Sequence, residues 1–258
     1  MANAWIMAPL PIAAASASSS AAGRDPVYVG NDYAGVVWRS ASASATTLTL
    51  DLGADQTVDT LALFGVEGAG PSTLLSINGA TAGQPGTFTA LTPPAPLLAG
   101  AVMLRSGRGV ALADFAPAIC RYLRLNFGAP VSPIEVARVV VGKRIALKRN
   151  FGMGGSFGVR DLGSVEFSRR GVLMRRRGKK MRTASISFSN IHRDEVEAMI
   201  QPLIERLGNT ETVLLVTNPE PHQERQNRCY FGFLVGDLAA VQRRADGFEA
   251  QTNVASLF

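Results

Sequence analysis

The 258-residue sequence predicts a mainly β chain with an α+β tail: an N-terminal β-sandwich of jelly-roll type, then a β-sheet or split-barrel domain with one main helix. Three observations predict it. From residue 25 to about 141 the chain is a series of short alternating or apolar runs divided by Gly, Pro, Asp and Asn, with no helical period. A continuous apolar stripe at helical spacing occurs later, within residues 196–207. Charge steps at residue 142: residues 1–141 carry 7 Lys/Arg against 8 Asp/Glu, and residues 142–258 carry 19 against 12.

The expected organisation is an N-terminal arm over 1–24, a jelly-roll domain over 25–142, a basic Gly-containing loop or hairpin arm over 143–182, and an α+β domain over 183–258 that takes strands from 143–168. The N-terminus holds Trp5-Ile6-Met7 and an Ala/Ser run, but no Lys or Arg before Arg24, and Pro9 and Pro11 interrupt its apolar stretch. It is therefore not read as a secretion signal. No run approaches the roughly 18 apolar residues of a membrane span, so no membrane insertion is expected.

Within the first domain, Thr47-Leu48-Thr49-Leu50-Asp51-Leu52 alternates with period two, Thr60-Leu61-Ala62-Leu63-Phe64 follows a turn-rich gap, and Leu74-Leu75-Ser76-Ile77 ends at Asn78-Gly79. Pro93, Pro94 and Pro96 are expected to form a loop. Asp51, Asp55 and Asp59 read as strand-end and turn residues, and Trp38 as core. Cys120 and Cys229 lie in apolar strand-like text and are read as reduced, buried, small hydrophobes, which suits a reducing compartment.

In the second half a glycine-rich loop, Gly152 to Gly158, precedes a dense basic run. Arg169, Arg170, Arg175, Arg176, Arg177, Lys179, Lys180 and Arg182 fall within 14 positions. Such a run is either a solvated hairpin, a contact for acidic surface on a neighbouring subunit, or a phosphate-binding strip. With only Phe167 nearby for stacking, nucleic acid is the least favoured partner.

Thr183-Ala184-Ser185-Ile186-Ser187-Phe188 then alternates as a strand. Val196, Met199, Ile200, Leu203, Ile204 and Leu207 make the helical stripe. Ser189 or Asn190 is placed to cap it, Asp194 and Glu195 suit its positive end, Pro202 should kink it and Gly208 end it. Val213 to Val216 and Cys229 to Leu234 read as further strands, and Gly247 to Phe258 as a last edge strand.

Two resemblances follow from these residues. Val37-Trp38-Arg39-Ser40, Leu50-Asp51-Leu52-Gly53, Val58 to Gly65, and Arg121-Tyr122-Leu123-Arg124-Leu125 stand in the order of the discoidin, or coagulation-factor C-type, domain. That resemblance implies a galactose-binding-like jelly roll. The passage from Arg182 to the C-terminus is similar, in the order of its elements, to distal-tail and minor tail proteins of long-tailed bacteriophages, which implies a ring-forming baseplate component, often hexameric.

No catalytic site is expected. Gly154-Gly155-Ser156-Phe157-Gly158 satisfies the G-x-S-x-G of serine hydrolases, but that motif works only where a strand enters and a helix leaves the serine, and no helical period follows. His192 and His222 have no Cys or His at zinc-ligand spacing, no carboxylate pair is marked, and neither metal nor cofactor is expected. The discoidin resemblance implies that Asn31-Asp32 lies where relatives sometimes hold calcium. Loop residues suited to a sugar, an aromatic platform with fixed polar groups, are Tyr28, Asn31, Asp32, Tyr33 and Glu67.

The leading expectation is a phage tail-tip or baseplate component in the virion, assembled in the host cytoplasm. It would form a homo-oligomeric ring between the tail tube and the hub or host-recognition proteins, its jelly roll touching host-surface glycan and its basic arm contacting a neighbouring subunit. The alternative is a carbohydrate-binding, lectin-like module, alone or attached to a hydrolase.

Overall fold

In a computed structural model, which describes residues 2–208, 210–236 and 239–258, the chain divides into two compact units. The first comprises residues 1–146 and 216–229, the second residues 147–215 and 230–258.

The first unit is a two-layer β-sandwich. Its strands are β1 (Trp5–Met7), β2 (Ala14–Ala17), β3 (Trp38–Arg39), β4 (Thr46–Val66), β5 (Leu74–Ala80), β6 (Thr89–Pro96), β7 (Gly109–Gly128), β8 (Glu135–Val136), β9 (Arg138–Gly142) and β10 (Ile145–Ala146). The main sheet runs β2-β4-β7-β5-β6, with β9 paired to the far half of β4, and β3 pairs with β8. The two expected runs 47–52 and 60–64 are one strand. Its pairing with β7 slips between Asp51 and Gln56 and again between Val58 and Thr60.

Bulges of this kind bend a strand and raise its twist, so one long pair can serve both layers. Thr46–Asp51 lies opposite Tyr122–Phe127, and Thr60–Phe64 opposite Val110–Asp114. Leu48, Leu50, Leu61, Leu63, Leu123, Leu125, Val139 and Val141 from the two halves meet in one core. Trp38 is fully buried there, 5.8 Å from the Phe127 ring, and its indole N–H donates to Ser20 Oγ at 3.1 Å.

Three expectations are corrected in this unit. Residues 1–24 are not a free arm: β1 pairs with β10, β2 with β4, and Trp5, Ile6 and Met7 are buried, because an apolar triplet gains most by leaving water. Pro93, Pro94 and Pro96 lie within β6, which is tolerated because β6 is an edge strand and needs no donor on its open side. Asn78-Gly79 continues β5 instead of ending it, pairing with both β6 and β7.

The aspartates placed at strand ends are structural. Asp51 takes a bidentate pair from Arg121, at 2.8 and 2.9 Å. Asp59 accepts from the Arg144 N–H, and Asp55 from the Ala82 N–H.

Residues 216–229, from the far half of the sequence, also belong to this unit. Gln226 is fully buried, accepts from the Val110 N–H at 2.7 Å and donates to the Gly100 carbonyl. Arg225 pairs with Asp114 at 2.8 Å. Both cysteines are buried and neither is in a disulfide.

The second unit holds β11 (Ser156–Asp161), β12 (Ser164–Phe167), β13 (Leu173–Arg176), β14 (Lys180–His192), β15 (Thr212–Val216), β16 (Cys229–Leu234), β17 (Ala240–Arg244) and β18 (Gly247–Ser256). Its sheet runs β15-β16-β18-β14-β11, with β17 also on β18. The last strand is thus interior, not an edge. It pairs on both sides while alternate Ala250, Thr252 and Val254 are buried, so both backbone rows are satisfied.

The helix runs as α1 (Arg193–Glu195), a π segment (Val196–Ile200) and α2 (Gln201–Leu207). Its N-cap is His192, not Ser189 or Asn190, since β14 continues through them and Glu195 reaches back to the His192 N–H at 3.4 Å. A widened π turn lies just before Pro202, the residue expected to kink the helix, and accommodates its missing N–H. The extra residue per turn narrows the buried stripe to Val196, Ile200, Leu203 and Leu207 and leaves Met199 exposed. Gly208 ends the helix at φ +49°. No helix among the described residues is long and apolar enough to cross a membrane.

Candidate functional site

The loops at one end of the sandwich are drawn together by two arginines. A 3-10 turn, Pro26–Gly30, leads into the loop before β3, and Asn31 closes it. The Asn31 Nδ2 donates to the Tyr28 carbonyl at 2.7 Å, and its Oδ1 accepts from the Tyr33 N–H at 2.8 Å. This side-chain turn fixes the backbone at Tyr33, whose ring stands 75% exposed.

Asp32 points the other way. Its Oδ1 lies 3.0 Å from Nε of Arg138, a residue of β9 that is almost wholly buried and also donates to the Val29 carbonyl at 3.2 Å. Burial pushes the Arg138 guanidinium pKa down, and Asp32 opposes that shift.

Arg108 is the second organiser. Its Nε donates to Glu67 Oε1 at 3.0 Å and its Nη1 to the Ala34 carbonyl at 2.9 Å, while Nη2 lies 3.9 Å from Glu135. Glu67 and Glu135 exchange both backbone hydrogen bonds at 3.0 Å. Gly68 follows at φ +82°, with the Ser132 and Pro133 carbonyls so close that a Cβ would stand 2.4 Å from the Pro133 oxygen. The chain therefore needs glycine there to bring the loop after β4 against residues 131–135.

Of the residues expected to bind sugar, Asn31, Tyr33 and Glu67 meet in this cluster. Tyr28 enters it through its carbonyl. Asp32 serves as a partly exposed anchor: at the position read as a calcium site by resemblance its carboxylate faces a guanidinium, and no group of three His, Cys, Asp or Glu side chains that could hold a metal occurs among the described residues.

Arg108, Arg138 and Glu135 were not anticipated. Arg138 had a readable signal, a charge inside Glu135-Val136-Ala137-Arg138-Val139-Val140-Val141 that must find a partner when the strand is buried. Arg108, flanked by Gly107 and Gly109, had none.

The arrangement offers a guanidinium about one-third exposed with donors to spare, a carboxylate beside it and an aromatic ring one residue from the Ala34 anchor. Paired donors and acceptors next to an apolar ring suit vicinal hydroxyls and the face of a sugar ring.

The other residues singled out lie elsewhere. Ser156 opens strand β11, so a strand and not a helix leaves the Gly-x-Ser-x-Gly motif. His192 is exposed at the helix start, and His222 is exposed with its Nδ1 accepting from the Glu224 N–H. Arg169, Arg170, Arg175, Arg176, Arg177, Lys179, Lys180 and Arg182 lie on and beside a β-ribbon. There β12 and β13 pair from Ser164–Arg176 to Phe167–Leu173, and β11 pairs with β14. Arg182 sits over the Tyr230 ring at 4.3 Å, and Lys179 donates to the Leu257 carbonyl.

No known protein-family model and no curated protein matches this chain. Similar solved structures include chitosan-binding module 1 derived from the chitosanase/glucanase of Paenibacillus sp. IK-5, at 21% identity and TM-score 0.41, covering 51% of this chain and 96% of that one. The family 32 carbohydrate-binding module of C. perfringens NanJ, solved with galactose, shows 16% identity and TM-score 0.42 over 52% of this chain and 98% of its own. The lectin domain of lectinolysin, solved with Lewis B antigen, shows 17% identity and TM-score 0.38 over 50% and 92%.

Proposed function

We propose that the first unit is a glycan-binding module whose site is the loop cluster of Tyr33, Arg108, Glu67 and Asn31. The observation that carries this reading is Arg108. One guanidinium fastens two loops through Ala34 and Glu67 while staying about one-third exposed, so the donor, the acceptor and the ring of Tyr33 are set before any ligand arrives. Such preorganisation reduces the ordering cost that weak sugar binders otherwise meet.

A glycan array probed with the full-length chain tests it. Tyr33→Ala and Arg108→Gln should each weaken binding about tenfold or more, the expected loss for a stacking ring or a charged hydrogen-bond donor. An empty array, or variants that bind like the parent, would remove the proposal.

The tail-tip assembly reading is the second one. The observation favouring it is the exposed ribbon in the second unit, whose apolar and basic surface calls for a protein neighbour. A gene neighbourhood with a tape-measure gene just upstream would support it, and a neighbourhood without tail genes would count against it.

A further inference from the structure

The water-facing side of the main sheet carries polar side chains that the loop cluster does not use. Leu48, Leu50, Leu123 and Leu125 point into the core, so by alternation Thr49 of β4 and Tyr122, Arg124 and Asn126 of β7 face outward. Arg124 lies opposite Thr49 on one side and Asn78 of β5 on the other, and Tyr122 lies opposite Asp51. From Tyr122 to Asn126 the face runs about 14 Å, on strands spaced about 4.8 Å apart.

These side chains are held in place and still have bonding capacity to spare. The Arg124 guanidinium lies 3.8 Å from the centre of the Phe88 ring and makes no ion pair or side-chain hydrogen bond among the described residues. Asn126 Nδ2 donates to Ser76 Oγ at 3.1 Å and to Asn78 Oδ1 at 3.2 Å. That leaves Asn126 Oδ1 and Asn78 Nδ2 without a protein partner among the described residues. Asp51 differs, since Arg121 occupies both of its oxygens and also lies 5.0 Å from the centre of the Tyr122 ring.

Charge decides what this face can take. Within residues 14–17, 46–51, 74–80, 89–96 and 121–128 the charged residues are Asp51, Arg121 and Arg124, so Arg124 is the cation left without a counter-charge. A sheet face that only meets water ordinarily mixes many charges of both signs. This one presents a single unpaired guanidinium, two rings and fixed amides.

We propose that this face is a second glycan-binding surface, and that its ligand is an acidic polysaccharide, a chain bearing sugar carboxylates. Arg124 receives a carboxylate, Thr49, Asn78 and Asn126 meet hydroxyls, and Tyr122 and Phe88 offer aromatic surface to the sugar rings. The proposal goes beyond the loop cluster, which gathers around Glu67 and Arg108 at the opposite ends of β4 and β7. A nucleic-acid backbone needs several free cations in a row, and this face has one.

Affinity electrophoresis of the full-length protein in gels containing polygalacturonate, polymannuronate or hyaluronate tests it. At least one polymer should retard the parent, and methyl esterification of that polymer, which removes its charge, should weaken binding about tenfold or more. Arg124→Gln should weaken binding by a similar factor, and its thermal midpoint should stay near the parent's because Arg124 has no ion pair to lose. Thr49→Glu, which sets a carboxylate opposite Arg124 and competes with the ligand, should give the same loss through a stabilising cross-strand pair. The basic ribbon of the second unit is unchanged in both variants, so unspecific attraction to it would show as binding that neither variant weakens.

No retardation by any of the three polymers, equal binding of the methyl ester, either variant binding within about threefold of the parent, or equal retardation by duplex DNA would each overturn the proposal. So would loss of polyuronate binding in Tyr33→Ala/Arg108→Gln with Arg124→Gln unaffected, which would move the acidic chain to the loop cluster. Neutral glycans on the array judge the loop cluster alone, so either site can fail without the other.

Discussion

Replacing Asp32 by Asn removes the negative partner of a guanidinium that has only 7% of its side chain exposed. Breaking a fully buried ion pair from one side costs about 3–5 kcal/mol. Asp32 is 36% exposed, so water can refill part of its place and screen the charge, and the figure is discounted to about 2 kcal/mol. The bond from Arg138 to the Val29 carbonyl helps to hold the guanidinium in position but does not neutralise it.

The cost falls first on the loop that Asp32 holds. About 2 kcal/mol corresponds to a roughly 30-fold rise in its opening equilibrium. Hydrogen exchange at the Asn31 and Tyr33 amides, bonded to the Tyr28 carbonyl and Asn31 Oδ1, should accelerate by about that factor in Asp32→Asn. The double variant Asp32→Asn/Arg138→Met removes both charges and should return most of the protection. Exchange within threefold of the parent in the single variant would show that the pair does not anchor the loop.

Three other outcomes are expected. Gly68→Ala must place a Cβ against the Pro133 carbonyl at φ +82°, and should destabilise the first unit by about 2–3 kcal/mol or more in thermal unfolding. Burial, and then the charge of Asp55, pushes the Cys120 thiol up to about 11, so iodoacetamide at pH 8 should label it only after denaturant is added. The Arg121 hydrogen bonds hold the Asp51 carboxyl below its ordinary range, so their stabilisation is complete above about pH 4 and is lost as pH falls through the lowered folded value. Asp51→Asn should therefore lower the thermal midpoint at pH 7 and flatten its decline in acid, and an unchanged acid limb would refute that assignment.

Period-two runs such as Thr47 to Leu52 exposed the strands of the sandwich because local alternation is what a half-buried strand demands. The merger of two runs into one bent β4 was hidden, since the residues at the slip, Gly53 to Gln56, look like any turn. The β6 prolines misled for a related reason: proline rules out a central strand, but whether a strand is central is a tertiary fact. In the helix, the stripe of six apolar residues assumed a constant turn, and the π segment before Pro202 broke that assumption.

At the site, Asn31, Tyr33 and Glu67 were legible as loop chemistry. Arg108, which joins them, was invisible because its partners, Ala34 and Glu67, are 74 and 41 residues away. Long-range pairing of that kind leaves no local pattern.

The return of residues 216–229 to the first unit bears on how the chain is made. Gln226 supplies a buried acceptor to Val110 and a donor to Gly100, so the sandwich lacks those partners until synthesis has passed residue 226. A ribosome therefore cannot release a finished first unit ahead of the second, and the earlier strands must wait, partly unsatisfied, for a segment encoded far downstream. Cutting the gene at the charge step near residue 142 would for the same reason yield a fragment without the Gln226 bonds and the Arg225 ion pair to Asp114.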